Sequence, residues 1–273
     1  MDKFALARRE AEERLRIGWR PAKLLGKENV KLRKAEKHNW RGMGLSLAPA
    51  NISGFEVCAS RSEICTDHCI FTSGRGDERF VMSDGVQRVW MGRIFRTLWF
   101  FRHREEFMNR LVREIANNRD AAIRLNVFSD WQWERQSFYL EQKVAHRYGM
   151  TAGNYRNLFE LFPNVQFYDY TKHFARMFRA RPENYHLTFS LTESNAEQAR
   201  KVLAAGMNVA AVTTRATGTL FGYPLIDGDD HDLRFLDPAP CVVALKPKGT
   251  LRSNLEGGFV YEPEQQGTFS IAA

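Results

Sequence analysis

The sequence predicts an α/β fold: a parallel sheet curled into a partial or complete (βα) barrel, with a cysteine loop after its first strand and a basic N-terminal extension. Three observations carry this. Short apolar runs alternate with helical segments along most of the chain, the order that builds parallel sheets. The runs are nearly continuous in apolar residues, as in Val209-Ala210-Ala211-Val212, which suits strands covered on both faces. Polar residues gather just after the runs, where function collects in βα architectures.

The elements follow in order. Arg8 to Leu15 reads as helix and is stopped by Gly18 to Pro21, and Lys23 to His38 is Lys-rich with Leu and Val interspersed. Leu45 to Ala50 is the first candidate strand. Phe55-Glu56-Val57-Cys58 leads into the cysteine loop, which closes at Ser73-Gly74-Arg75-Gly76. Val86 to Asn117 reads as one long helix, because Val89, Trp90, Ile94, Phe95, Leu98 and Trp99 recur at three- and four-residue steps. Strand-like runs follow at residues 121–126, 165–170, 186–191, 208–213 and 241–246. A helix from Ser194 to Ala205 has Ser194 as N-cap, Glu197 completing a capping box and Gly206 as its stop. The predicted organisation is a basic extension over 1–43, a single α/β core domain over 44–254 and a peripheral tail over 255–273.

With 44% hydrophobic residues in 273 and a mean hydropathy of -0.45, disordered and collagen-like classes are excluded. The chain is long enough to bury a core without disulfides. Its net charge is +8, and thirteen Lys/Arg against six Asp/Glu fall within residues 1–41, so the core is nearly neutral. That arm is either a solvated basic face or a nucleic-acid contact through phosphates. No stretch approaches the ~18 apolar residues of a membrane helix, and the N-terminus has no secretory apolar core. The expectation is a cytoplasmic protein with no membrane partner.

Cys58, Cys65 and Cys69 lie within twelve residues, and Cys241 stands apart. Three thiolates on one loop can hold three corners of a cubane iron–sulfur (4Fe-4S) cluster with one iron left open. They can equally supply three ligands of a tetrahedral zinc, with His68 or Cys241 as the fourth. The bland alternative is three small buried side chains. At the strand ends, Asn126 and Asp130, Asp169 and Lys172, and Ser190 and Glu193 would face one mouth if the sheet is parallel; singly, such residues serve as caps and turns. Asn126, Asp130, Asp169, Lys172 and Glu193 are the candidate catalytic groups. Asp227-Gly228-Asp229-Asp230-His231-Asp232 is either an acidic turn or a hard-cation site.

The blocks Leu47-Ala48-Pro49-Ala50, Ser53 to Cys58, Arg124-Leu125-Asn126, Val165 to Lys172, Tyr185 to Ser190 and Ile226 to Asp237 resemble the phage "gene product 88" family. They cover most of residues 44–250 and imply a bacteriophage origin, hence the host cytoplasm. More loosely, three cysteines after the first strand of a βα sheet resemble radical S-adenosylmethionine enzymes. The spacing here is wider than that family's usual one, and His68 stands where an aromatic residue usually precedes the third cysteine. This resemblance implies a 4Fe-4S cluster on Cys58, Cys65 and Cys69 and S-adenosylmethionine near Ser190, Glu193 and His68. It also implies an electron donor as partner, and the basic charge of a phage protein points to a nucleotide or nucleic-acid-related substrate. The alternatives are a zinc-stabilised nucleic-acid-binding protein using the arm with Arg93, Arg96, Arg102 and Arg104, and a divalent-metal hydrolase or nuclease built on Asp227 to Asp232.

Overall fold

Continuous apolar, β-branched and aromatic runs make strands when another layer covers each face, and the five runs after residue 120 all do so. The computed structural model describes residues 2–27, 30–252 and 257–265. In chain order its strands are β1 (Leu25–Gly26), β2 (Arg41–Leu45), β3 (Ala121–Arg124), β4 (Phe138–Leu140), β5 (Gly153–Tyr155) and β6 (Phe167–Thr171), then β7 (Tyr185–Ser190), β8 (Val209–Thr213), β9 (Thr219–Leu220), β10 (Tyr223–Asp227), β11 (Val242–Leu245) and β12 (Val260–Tyr261). The helices are α1 (Ala5–Arg16), α2 (Val30–Lys34), α3 (Glu63–Asp67), α4 (Arg88–Arg102), α5 (Arg104–Ala116), α6 (Gln142–Arg147), α7 (Leu158–Leu161), α8 (Phe174–Phe178) and α9 (Ala196–Ala204).

One sheet dominates. Strands β2, β3, β6, β7 and β8 lie side by side, parallel and in chain order. The parallel strands β11 and β10 extend it, and β1 and β9 pair antiparallel at its two ends. This is the order of an unrolled (βα) barrel. Because β1 and β9 are separate edges, the sheet is open and the complete barrel is not formed. Strands β4 and β5 make a separate antiparallel pair.

The carboxyl end of the sheet carries an insertion. Strand β7 pairs with only the first half of β8, through Phe189↔Val209 and Ser190↔Ala210. Further along, β12 pairs with β8 through Val260↔Val212 and Tyr261↔Thr213. Since β11 occupies the other edge of β8, β12 fills the notch where β7 and β8 diverge. The Tyr261 hydroxyl donates to Thr192 O at 2.9 Å across this notch. Residues 257–265 of the expected tail therefore return to the sheet, while 255, 256 and 266–273 lie outside the described residues.

Alternation along the strands sorts their side chains between two faces. Ile123, Phe167, Leu187, Phe189, Val209 and Ala211 point into the main core, which α1, α4, α5 and α9 also line. Helices on one face are what right-handed crossovers between successive neighbouring strands produce. The other face holds Ala122 and Tyr168, covered by Ala35 and Leu233 with Trp40 and Phe235 beside them. Residues 30–38 press so close to β2 that a Cβ on Gly42 would stand 2.5 Å from Leu32 O. Glycine is what lets the backbones approach.

The expected basic extension is not a detached arm. Ala7, Ala11 and Leu15 form a buried stripe on α1, spaced one helical turn apart. The Leu24 and Leu25 amides donate to the Glu114 carboxylate, and β1 and β2 extend the main sheet. A stripe made mostly of alanine carries little hydropathy signal, which hid this docking. Several of the segment's cations are also tied up, in Lys3–Glu78, Arg14–Glu10, Arg16–Glu13, Arg20–Glu106 and Arg41–Asp120 pairs.

Two helix boundaries differ from expectation. The long helix is two helices broken at His103, whose backbone leaves the helical region (φ -137°, ψ 57°). Arg102 ends the first helix, and Glu105 and Glu106 open the second, each placed favourably for the helix dipoles. The capping box does not form. Helix α9 begins at Ala196, and the Asn195 side chain instead accepts the Thr192 amide. Gly206 does end the helix, at φ +79°. Among the described residues no helix is long and apolar enough to cross a membrane.

Candidate metal centre

The cysteine loop follows β2, the first parallel strand, and is pinned before it reaches the sulfurs. Val57 is buried and its amide donates to Ala50 O. The Cys58 thiol points at Phe128 O, 3.7 Å away. Ser62 caps α3, accepting the Cys65 amide at 3.3 Å. Cys69 precedes a single 3₁₀ turn whose Phe71 is fully buried against Phe4, Trp90 and Phe128. Arg93 stacks over the Phe71 and Phe128 rings and donates to Phe71 O.

Lys172, just after β6, is the centre of this arrangement. Its amide donates to Asp130 Oδ2 at 2.8 Å, and its ammonium reaches Ser190 Oγ at 3.4 Å. Burial alone would pull the Lys172 pKa down. Cys65, Asp130, Cys58 and Cys69 around it reverse that, and its pKa is raised. The half-buried Lys172 ammonium is thus within electrostatic reach of all three cysteines. Burial pushes the Cys58 thiol up to about 12, and it also raises Cys69, against Lys172 and Arg93 which hold Cys69 down. Thiols held protonated this way are poor nucleophiles; a metal ion would take their protons off outright.

A single tetrahedral zinc draws its sulfur ligands to within about 4 Å of one another. The three sulfurs do not meet within 4.8 Å as a group, and the one His/Cys/Asp/Glu triple among the described residues that does is elsewhere. A cubane spaces its cysteines more widely, because its own irons and sulfides lie between them. Three thiols on one loop are the donor type that such a cluster uses.

The other predicted residues fall into two groups. Ser190 and Glu193 stand with the cysteines. The Glu193 carboxylate accepts Ser62 Oγ at 2.8 Å and the Ile64 amide at 3.2 Å, so it holds the first turn of α3 in place. His68 ends that helix, its Nδ1 2.8 Å from Thr250 Oγ1. Asn126 and Asp169 belong to a different, buried network, to which Asp130 is linked through Arg176 while it also accepts the Lys172 amide. Asp169 accepts the Asn126 amide at 2.7 Å and the Tyr185 hydroxyl at 2.9 Å. Asp169 lies inside β6, whereas Lys172 follows its last residue, Thr171. Arg176, which the sequence did not single out, joins this network to Asp130 and Glu134.

Burial raises the Asp169 pKa to about 7, against Arg124, the Asn126 amide, the Tyr185 hydroxyl and Arg176, which hold it down. The folded protein therefore keeps a proton that the unfolded chain has released above pH ~4. This stabilisation is complete at acid pH and is lost as pH rises toward 7. Asp237, raised to about 6, acts in the same direction, and His186, lowered to about 4, acts in the opposite one. The Asp169 contribution is isolated by subtracting the urea-unfolding curve of Asp169→Asn from wild type between pH 4 and 8. The difference is expected to shrink as pH rises; a flat difference would mean that Asp169 does not titrate there.

A family model described as Gene product 88 matches residues 23–262. The chain belongs to that phage gene-product family. No curated protein and no solved structure matches it. The match takes in β1, α2 and the whole of β2, so the second half of the expected extension lies within the matched length. It also covers all three loop cysteines.

Within this Gene product 88 fold, two alternative sites look different from expectation. Cys241 is buried at the start of β11 with Ala210 and Val243, at the opposite end of the parallel sheet from the cysteine loop, so it cannot complete that site. The carboxylates of 227–232 do not converge. Asp229 accepts the Lys246 amide and Lys248 Nζ, and Asp232 turns inward to Arg124. Arg96 and Arg102 are likewise engaged, with Lys23 O and Glu12, while Arg104 stacks on Phe100. Arg93 folds onto Phe71, while Arg102 and Arg104 are exposed.

Proposed function

We propose that this Gene product 88 protein is an iron–sulfur protein of the host cytoplasm, with a 4Fe-4S cluster on Cys58, Cys65 and Cys69. We further propose that it acts as a radical S-adenosylmethionine-type enzyme on a nucleotide or nucleic-acid-related substrate. The observation that carries the reading is the placement of Cys58, Cys65 and Cys69 on the loop after the first parallel strand, within electrostatic reach of the half-buried Lys172 ammonium, at the carboxyl end of an open sheet with βα-barrel strand order. Lys172 and Arg93 neutralise the thiolates' charge. Glu193 holds α3, and with it Cys65. Ser190 orients the Lys172 ammonium and is the hydroxyl at this mouth for an adenosyl ribose. When bound, a reduced cluster of this type supplies an electron that cleaves the carbon–sulfur bond of S-adenosylmethionine; the protein binds, orients and excludes water.

Protein purified without oxygen is expected to be brown, with broad absorbance near ~400 nm and about four irons per chain. Cys65→Ser should lose most of both, and Lys172→Ala should lose iron on dilution. Colourless protein with one zinc per chain would overturn the reading. With dithionite and S-adenosylmethionine, 5′-deoxyadenosine is the expected product; its absence from an iron-loaded sample would leave a cluster-binding protein without this activity.

A further inference from the structure

Away from the cysteines, on the face of the sheet opposite the main core, two segments distant in sequence bring three ligating side chains together. We infer that His38, Asp230 and His231 form a binding site for a borderline divalent cation such as Zn²⁺, which clamps the two segments covering this face.

One ligand atom from each residue lies within 4.8 Å of the other two. His38 Nε2 and Asp230 Oδ2 are 3.3 Å apart. Two ligands of a tetrahedral ion bound at 2.0–2.2 Å stand about 3.4 Å from one another, so this pair already has the separation an ion would impose. The His38 and His231 rings sit edge to face, 4.4 Å between centroids. Two imidazoles and a carboxylate match the ligand preference of zinc and its neighbours, and differ from the all-oxygen sets of calcium or magnesium.

The surroundings supply a second, independent observation. His231 Nδ1 lies 3.1 Å from Arg234 Nη2 and 3.2 Å from the Leu233 amide, both donors. Arg234 is fully buried, yet its Nε and Nη1 have no hydrogen bond, and neither does Asp237 Oδ2. Asp237 Oδ2 is 3.2 Å from Arg234 Nη1, a partner ready to take the guanidinium when an ion takes a nitrogen of His231. Asp237 Oδ1 stands 3.8 Å from His231 Nε2, beyond hydrogen-bond reach. Asp232 and Asp237 are matched by Arg124 and Arg234, so the carboxylate that would balance the ion is the exposed Asp230.

The placement says what the ion would do. His38 ends the turn that presses residues 30–38 onto β2, and Asp230 and His231 lie in the loop that lays Leu233 and Phe235 over Tyr168. An ion here joins the two covers, and through them the face that carries Arg124.

The test is a cobalt titration of the full chain, since Co²⁺ on nitrogen and oxygen gives weak visible bands without the strong sulfur charge-transfer absorbance of a thiolate site. Wild type and Cys65→Ser should both bind one cobalt per chain in this manner and gain thermal stability with Zn²⁺. His38→Ala and Asp230→Ala should lose at least ~10-fold in affinity together with the stability gain. Asp230 is largely exposed, so its replacement leaves the fold intact and keeps the test decisive if His38→Ala folds poorly. Cobalt bound only through sulfur, or unchanged binding in Asp230→Ala, would overturn the site. Neither result depends on whether a cluster occupies the cysteines.

Discussion

Arg176→Met is expected to cost about 3–5 kcal/mol, the range for breaking a buried ion pair from one side. The Arg176 side chain is completely buried. Its Nε and Nη2 grip the two Glu134 oxygens at 2.8 and 2.9 Å. Its Nη1 reaches Asp130 Oδ1 at 2.7 Å, and its Nη2 also meets the Tyr185 hydroxyl at 3.0 Å. Methionine fills most of the volume but leaves two nearly buried carboxylates facing each other without a cation. Arg176→Lys should recover only part of the loss, because an ammonium cannot reproduce the two-pronged contact. Urea unfolding reads this as a lower midpoint at unchanged slope. A loss below ~1 kcal/mol, the usual worth of an exposed pair, would mean that water reaches the network. Asp130 also accepts the Lys172 amide, so the same substitution should loosen the ammonium within electrostatic reach of the cysteines.

Asp232→Asn should be destabilising on a similar scale, about 3–5 kcal/mol, although it changes hardly any volume. The carboxylate is fully buried and lies 2.8 Å from Arg124 Nη1, with the Tyr170 hydroxyl at 3.2 Å. The Arg124 guanidinium also stacks over Tyr170. Losing the negative charge strands Arg124 on the covered face. The informative variant is the double one: Arg124→Met with Asp232→Leu removes both charges, and it should be far more stable than the sum of the single losses implies. Strict additivity would show that the two charges are solvated separately.

These two residues also mark where the sequence was legible and where it was not. Strands such as Val209–Thr213 announce themselves, because a strand covered on both faces must be apolar throughout. Strands β1, β9 and β12 are two residues each and exist only through their partners, so no local pattern signals them. Strand β10 contains Pro224 and is largely half-exposed, which obscures its alternation. Among the candidate residues, the type and position of Lys172 and the cysteines were readable. The separation of Asp169 from Lys172 depends on strand register, and it follows only once β6 is known to run from Phe167 to Thr171. Arg176 resembles any other helical arginine until the fold closes around it, and nothing in its neighbours distinguishes it from exposed Arg179.

The insertion of β12 between the diverging ends of β7 and β8 has a consequence for the order of assembly. Domains form from the N-terminal side as the chain is synthesised, and all the parallel strands up to β11 are available before residues 260–261 leave the ribosome. Until then the carboxyl end of the sheet is a slit beside Thr192 and Glu193, on the side where the cysteine loop stands. The gap beside the loop therefore closes only when β12 inserts. Sealing this end of the sheet is thus a late event in assembly, with Tyr261 bonded across the seam to Thr192 as its fastener.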